Sequence, residues 1–323
     1  MELKGKKVVF IAPEFFGYDL AIERALSKQG AKVFRLKDRP FSSSIANAFT
    51  KIFTKLVRVL LDRYYYLRLD DIPCDFDLVL VINGQTVSRN VLNKLKEKND
   101  NAKFVLYIWD SLKNRSSVSD NLDLFNSRFS FERDNGPLFK FRPLFFEPKV
   151  SAKSDENVFL MSFIGTAHSD RFSVINKINA SVNSKACFWY LFLQAKWVFY
   201  WYKISRTDFA NAKISDFYFL PISGSDAHDV FLKSKIIVDV EHPMQKGLTS
   251  RTLEVLGAGK KLVTTNKDVI NYDFYKYGNI CIVDRLNPQI PKDFIEKKFN
   301  PYSSEILNFY SVDGWLSEVI SDV

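Results

Sequence analysis

Apolar residues fall along this chain in two rhythms, short near-continuous runs and longer stretches at helical spacing. Lys7–Ala12 (KVVFIA) is such a run, closed by Pro13. A short apolar run bounded by turn residues is the pattern of a strand buried on both faces. Pro13–Gly17 reads as a turn, Ala21–Gln29 as a helix stopped by Gly30, and Lys32–Leu36 as the next strand. Asp77–Ile82 and Lys103–Ile108 repeat the strand pattern, with a helix over Val87–Lys98 between them. Glu147–Asn157 (EPKVSAKSDEN) is polar, carries a proline and reads as a linker. The rhythm then restarts with strand Val158–Ile164, a glycine turn and helix Phe172–Ala180. It continues through strand Lys235–Val240, helix Ser250–Ala258, and strands Lys261–Thr264 and Ile280–Val283. Strands alternating with helices predict parallel, doubly wound sheets. The expected architecture is therefore α/β, with one domain over residues 1–148 and a second over 157–300. A helical segment follows over 301–323, with Ile306, Leu307, Tyr310, Trp315 and Ile320 on its apolar side.

Two apolar stretches bear on membranes. Phe49–Leu69 places Phe49, Ile52, Phe53, Leu56, Val57, Leu60, Leu61, Tyr64 and Tyr65 at helical spacing, with Lys51, Lys55, Arg58 and Arg63 on other faces. Such a basic amphipathic helix packs on a core or docks on anionic lipid. Residues 187–204 (CFWYLFLQAKWVFYWYKI) are strongly apolar, but Gln194 and Lys196 sit at the centre. A central lysine costs about 2.5–3.5 kcal/mol in a bilayer, so the reading is a buried or interfacial helix rather than a span.

Composition narrows the class. Hydrophobic residues make up 46% and charged residues 26%, the balance of a globular chain. Cys74, Cys187 and Cys281 form neither a disulfide framework nor a zinc pattern, which suits a reducing cytoplasm. The net charge of +9 favours phosphate-bearing molecules or an anionic membrane surface. No zinc-finger, helix-turn-helix or RNA-binding pattern occurs, so nucleic acid is not an expected partner.

The most informative stretch runs from Ser234 to Asp284. A strand ends near Asp239–Val240, a polar loop leads to Thr249, Ser250 and Arg251, and a helix begins with Glu254 about one turn in. Unsatisfied amides and the positive dipole end make such a helix start an anion site, and Arg251 adds a cation of fork geometry. The bland alternative is an Arg251–Glu254 pair within the helix, worth about 0.2–0.5 kcal/mol. A second strand–loop–helix junction, Ser162–Arg171 (SFIGTAHSDR), offers Gly165, Thr166 and Arg171. His168 there reads either as a phosphate partner or acid, or as a solvated loop residue.

The segment SRTLEVLGAGKKLVTTN resembles the donor-binding segment of GT-B glycosyltransferases, of the group-1 and CgeB-like kind found in bacterial surface-polysaccharide biosynthesis. The resemblance implies two Rossmann-like domains facing a cleft, with the C-terminal segment packing back on the first domain. It implies that Glu254 holds the donor ribose, Arg251 a phosphate, and Thr249 and Ser250 the loop amides and hydroxyls. Gly165, Thr166, His168 and Arg171 would face the donor. Many retaining members carry a second glutamate eight residues before the ribose glutamate, where this chain has Lys246, so the stereochemistry stays open.

Catalytic candidates lie in the first half. Asp110 follows a buried strand beside Trp109 and reads either as a general base or as a cap of the next helix. Glu14 and Asp19, in the loop PEFFGYD, are the alternative bases, and Gly17 serves ligand approach or a simple turn. Asn83–Gly84–Gln85 ends another strand. With no carboxylate pair placed to hold a sugar-nucleotide metal, no cofactor is expected beyond the nucleotide-sugar donor. The resemblance implies a cytoplasmic transferase, peripheral on the inner membrane, acting on a glycan or glycolipid acceptor. The rivals are a nucleotide-sugar 2-epimerase and a non-catalytic nucleotide-binding assembly protein.

Overall fold

The computed structural model describes residues 2–15, 17–38, 54–110, 116–148, 158–182, 184–244 and 247–321. Its contacts divide the chain into two compact units, Met1–Glu147 with Ser311–Val323, and Pro148–Tyr310. In chain order the first unit holds β1 (Lys7–Ala12), α1 (Tyr18–Lys28), β2 (Lys32–Lys37), α2 (Thr54–Leu69), β3 (Leu78–Ile82), α3 (Arg89–Lys98), β4 (Lys103–Ile108), α4 (Ser116–Ser119), β5 (Ser127–Ser130) and β6 (Lys140–Phe141). The second holds β7 (Phe159–Thr166), α5 (Arg171–Val182), β8 (Cys187–Phe192), α6 (Lys196–Ser205), α7 (Gly224–Leu232), β9 (Ser234–Asp239), α8 (Ser250–Gly257), β10 (Lys261–Thr264), β11 (Ile280–Ile282), α9 (Lys292–Glu296) and α10 (Ser304–Tyr310). The final helix, α11 (Val312–Val319), returns to the first unit.

Both sheets are parallel throughout. The first has strand order β2-β1-β3-β4-β5-β6 and the second β11-β10-β9-β7-β8. Five strands of the second sheet thus repeat the winding of the first five strands of the first. Helices cover both faces, which is why β3 is buried at every position and β1 at all but its first. On one face of the first sheet, Val8, Phe10 and Leu80 pack with α1 and with Trp315, Leu316 and Val319 of α11. On the other, Val9, Val79 and Leu106 pack with Tyr65 of α2 and Leu92 of α3.

Three expectations from the sequence need correction. Residues 187–204 are not one helix: Cys187–Phe192 forms β8, and α6 starts at Lys196. β8 pairs in register with β7 from Met161↔Cys187 to Thr166↔Phe192, so its backbone groups find partners in the sheet. Apolar spacing alone does not separate a short edge strand from a helix. In α2 the apolar stripe is narrower than the spacing implied. Leu61, Tyr65 and Leu69 are buried, whereas Leu60 faces solvent. The C-terminal segment is broken, because Ser311 caps α11 by accepting the Gly314 amide (3.1 Å). The linker stretch 149–157 and the helix start 49–53 lie outside the described residues.

Trp315 is fully buried, with its ring 4.8 Å from Tyr107 and 4.9 Å from Phe145. Replacing it with alanine is expected to destabilise the first unit by about 3–5 kcal/mol, read as a lowered urea midpoint. A change below about 1 kcal/mol would contradict this packing.

Candidate functional site

In each sheet the winding reverses once, and a crevice opens there beyond the carboxyl ends of the strands. The reversals fall between β1 and β3 in the first unit and between β7 and β9 in the second. The second carries most of the chemistry. Arg171, the first residue of α5, spans the two strand ends. Its Nε donates to the Val240 carbonyl (2.6 Å) and its Nη1 to the Thr166 carbonyl (3.2 Å). Burial pushes its pKa down to about 10, with Asp239 acting in the opposite sense and Arg251 adding to the depression. It is therefore a cation at neutral pH.

Arg251 approaches from α8. Its guanidinium lies over the Phe163 ring (5.6 Å) and the Phe231 ring (5.7 Å), and its Nε is buried with no hydrogen-bond partner. Gly165 makes this possible. A Cβ built there would stand 2.9 Å from Phe163 Cζ and 3.4 Å from Arg251 Nη1. Among the described residues neither Arg171 nor Arg251 makes an ion pair, and none joins Arg251 to half-buried Glu254. The intrahelical pair considered from the sequence is thus not formed.

The start of α8 is tied down from below. Thr249 caps it by accepting the Thr252 amide (3.3 Å). The Thr249 hydroxyl donates to Asp239 Oδ2 (2.5 Å), as does that of Thr252 (3.1 Å). Asp239, buried at the end of β9, thereby fixes the direction in which the first-turn amides, including that of Ser250, point. Those amides form the positive end of the helix dipole.

The loop after β7 completes the rim. The His168 ring lies 5.6 Å from that of His242, and burial, with Arg171, His242 and Arg206 adding to it, pushes the His168 pKa down to about 4. Ser169, at a φ of 48°, gives its carbonyl to Arg206, which also pairs with Asp208 (2.7 Å). Arg285 pairs with Asp170 (2.6 Å) and Glu241 (2.7 Å). The candidates Gly165, Thr166, His168, Arg171, Thr249, Ser250 and Arg251 thus belong to one strand-end cluster, with Glu254 further along α8. Lys246 lies outside the described residues. Sequence spacing did not reveal Phe163, Phe231, Arg206, Asp239, Glu241, His242 or Arg285, because packing alone brings them near.

In the first unit two base candidates are already engaged. Asp19 is buried, accepts the Phe15 amide (3.2 Å) and pairs with Arg35. Exposed Glu14 pairs with Lys37 (2.6 Å), whose hydrogen bond holds the carboxyl below its usual range. Asp110 is half-buried after β4, next to Trp109. The Trp109 amide donates to Asn83 Oδ1 (3.0 Å), and its ring lies 5.8 Å from Phe15. The residues that Asp110 would cap, 111–115, lie outside the described set.

No protein-family model and no curated protein matches the sequence. Solved structures do match the architecture. Anabaena HepE in complex with UDP-glucose superposes with a TM-score of 0.57 at 11% identity, covering 98% of this chain and 100% of that one. The UDP-GlcNAc 2-epimerase of Methanocaldococcus jannaschii gives 0.53 at 10% identity, covering 98% of each chain. The Neisseria meningitidis UDP-GlcNAc 2-epimerase bound to UDP-GlcNAc gives 0.51 at 10%, covering 98% and 99%. The fold is GT-B. At these identities the likeness speaks for the fold alone, which glycosyltransferases and UDP-GlcNAc 2-epimerases share. Among the described residues no helix is long and apolar enough to cross a membrane, and no group of His, Cys, Asp or Glu is assembled to hold a metal.

His168 generates a pH prediction. Its folded pKa lies below the ordinary 6.5, so between pH 6.5 and about 4 the unfolded chain holds a proton that the folded chain does not. Stability therefore falls as pH falls through that window. His168→Asn is expected to lose less over the same range, by about 1–3 kcal/mol after discounting partial exposure, read from urea titrations at pH 6.5 and 4.5. Equal losses in both proteins would refute it.

Proposed function

We propose that the protein is a glycosyltransferase that moves a sugar from a nucleoside-diphosphate donor to a lipid-linked, lipopolysaccharide or capsule acceptor. The observation that carries this reading is a pair of arginines, Arg171 and Arg251, that make no ion pair among the described residues and lie beside the start of α8 at the β7/β9 reversal. A diphosphate supplies the charge these groups lack. Arg251 would take its oxygens in a bidentate fork, and the α8 amides would take a third. Glu254 would accept the ribose hydroxyls. As the glycosidic bond to the diphosphate breaks, the same cations would stabilise the leaving charge without a metal. Asp110, half-buried where β4 ends beside Trp109, would take the proton from the acceptor hydroxyl.

The acceptor side draws on a second feature. In α6, Trp197, Tyr200, Trp201 and Ile204 recur at helical spacing on one face and are between 57% and 86% exposed, with Lys196 and Lys203 nearby in sequence. Tryptophan and tyrosine favour the membrane–water boundary, and lysine favours anionic lipid. This supports a peripheral position at the inner leaflet, where a lipid-linked acceptor resides. The exposed face predicts that the protein floats with phosphatidylglycerol vesicles and that Trp197→Ala with Trp201→Ala reduces the bound fraction at least fivefold. Equal flotation of both proteins would remove this support.

A second reading, a nucleotide-sugar 2-epimerase, is favoured by the adjacent His168 and His242 rings, which add acid/base groups beside the anion site. A non-catalytic nucleotide-binding protein is the third. Acceptor-dependent release of nucleoside diphosphate separates the transferase from both, while conversion of UDP-GlcNAc without acceptor would support the epimerase. Calorimetric titration with UDP, GDP, CDP, ADP, dTDP and CMP is expected to identify one tight-binding nucleotide. Arg251→Ala and Glu254→Ala should each weaken it about 10–100-fold, the worth of a charged hydrogen bond. Absence of binding by folded protein would leave the transferase reading without support.

A further inference from the structure

At the amino ends of β9 and β10, the ends remote from Arg171 and Arg251, the second unit has a cavity of about 440 Å³. Its lining includes Lys235, Lys260, Lys261, Lys297 and Lys298, with Glu296 as the one carboxylate. The volume lies within the range of small-molecule sites. Along β9 it is separated from the other site by the strand's length, roughly 15 Å at about 3.3 Å per residue.

The lysines divide into two groups. Lys261, almost fully buried, donates from Nζ to the carbonyls of Phe294, Ile295 (3.2 Å) and Lys297 (2.7 Å), closing the end of α9. Lys260 Nζ donates to the carbonyl of Leu232 (2.5 Å), the last residue of α7. Both neutralise carbonyl ends of helices. Lys235, Lys297 and Lys298 make no ion pair among the described residues. Their charge is felt nearby: burial first, then Lys235 and Lys297, pushes the Lys261 pKa down to about 8. Like charges gathered around a concavity repel one another unless an anion lies between them.

We propose that this lysine-lined cavity binds a phosphate-bearing ligand, free or as a lipid headgroup, at a site separate from that of the nucleotide. Lys235, Lys297 and Lys298 would donate to the phosphate oxygens as mobile point charges. The inference does not rest on the transferase reading.

The test is calorimetric titration of the full chain with inorganic pyrophosphate and with glycerol 3-phosphate. Lys235→Gln/Lys297→Gln/Lys298→Gln is expected to remove one pyrophosphate site, or weaken it at least tenfold. The nucleotide affinity and thermal midpoint of that variant should stay unchanged. In Arg251→Ala the lysine site should persist, so failure here and failure of the nucleotide site give different stoichiometries. A parallel arm measures flotation with phosphatidic acid vesicles in the Trp197→Ala/Trp201→Ala background. Lysine-dependent flotation without soluble binding would assign the site to a headgroup, and lysine-dependent soluble binding would assign it to a free phosphate. If the triple substitution changes neither soluble binding nor flotation, the proposal is overturned.

Discussion

The guanidinium of Arg171, clamped between the carbonyls of Val240 and Thr166, is the contact on which the second unit's strand-end geometry depends. Where a parallel sheet reverses its winding, two neighbouring strands send their connections to opposite faces, and their last carbonyls have no common partner. A planar cation with donors on two edges fits that gap. It holds the end of β7 against the end of β9, and β9 brings Asp239 beneath the start of α8. Asp239 in turn accepts from Thr249 and Thr252 and so aims the amides of α8. One half-buried charge thereby sets three elements in register.

A second constraint follows from charge and volume. A side chain at residue 165 would press on the Phe163 ring over which Arg251 lies, so the glycine there leaves that ring its place. The aromatic faces compensate part of the arginine's desolvation, by about 0.5–2 kcal/mol, but they leave its hydrogen-bonding capacity unused. The carboxylates nearby serve other cations: Asp170 and Glu241 hold Arg285, and Asp208 holds Arg206. Burial first, and then the same positive surroundings, keep His168 neutral down to about pH 4.

The first unit ties its strand ends together by different means. Asn83, at a φ of 60°, turns back to accept the Trp109 amide, joining the end of β3 to that of β4. Asp38 accepts the amides of Gln85 (3.0 Å) and Thr86 (2.8 Å), which joins β2 to the same turn. Its strand ends are thus held by carboxamide and carboxylate acceptors rather than by arginines. The strand-end arginines without an ion pair among the described residues, Arg171 and Arg251, both belong to the second unit.

Much of the fold was legible because a strand buried on both faces leaves a run such as KVVFIA or DLVLVI, and the next helix leaves apolar residues at helical spacing. The beginnings of α5 and α8 were legible for a related reason: an apolar run, a polar loop and then renewed helical spacing announce a turn into a helix. β8 was not, since CFWYLF is apolar at every position and its partner β7 lies over twenty residues earlier. β5 and β6 were not, since SRFS and KF are short edge segments with no apolar rhythm. Nor could spacing foretell that Asp239 would hold two threonines, that Phe163 and Phe231 would flank one arginine, or that Trp315 would lie against Tyr107. The sequence by itself determined where each strand and helix tends to form, because local periodicity reports which side of a segment avoids water. Only the tertiary structure decided which charges found a counter-charge among the described residues and which did not, because that depends on contacts between residues far apart in the chain.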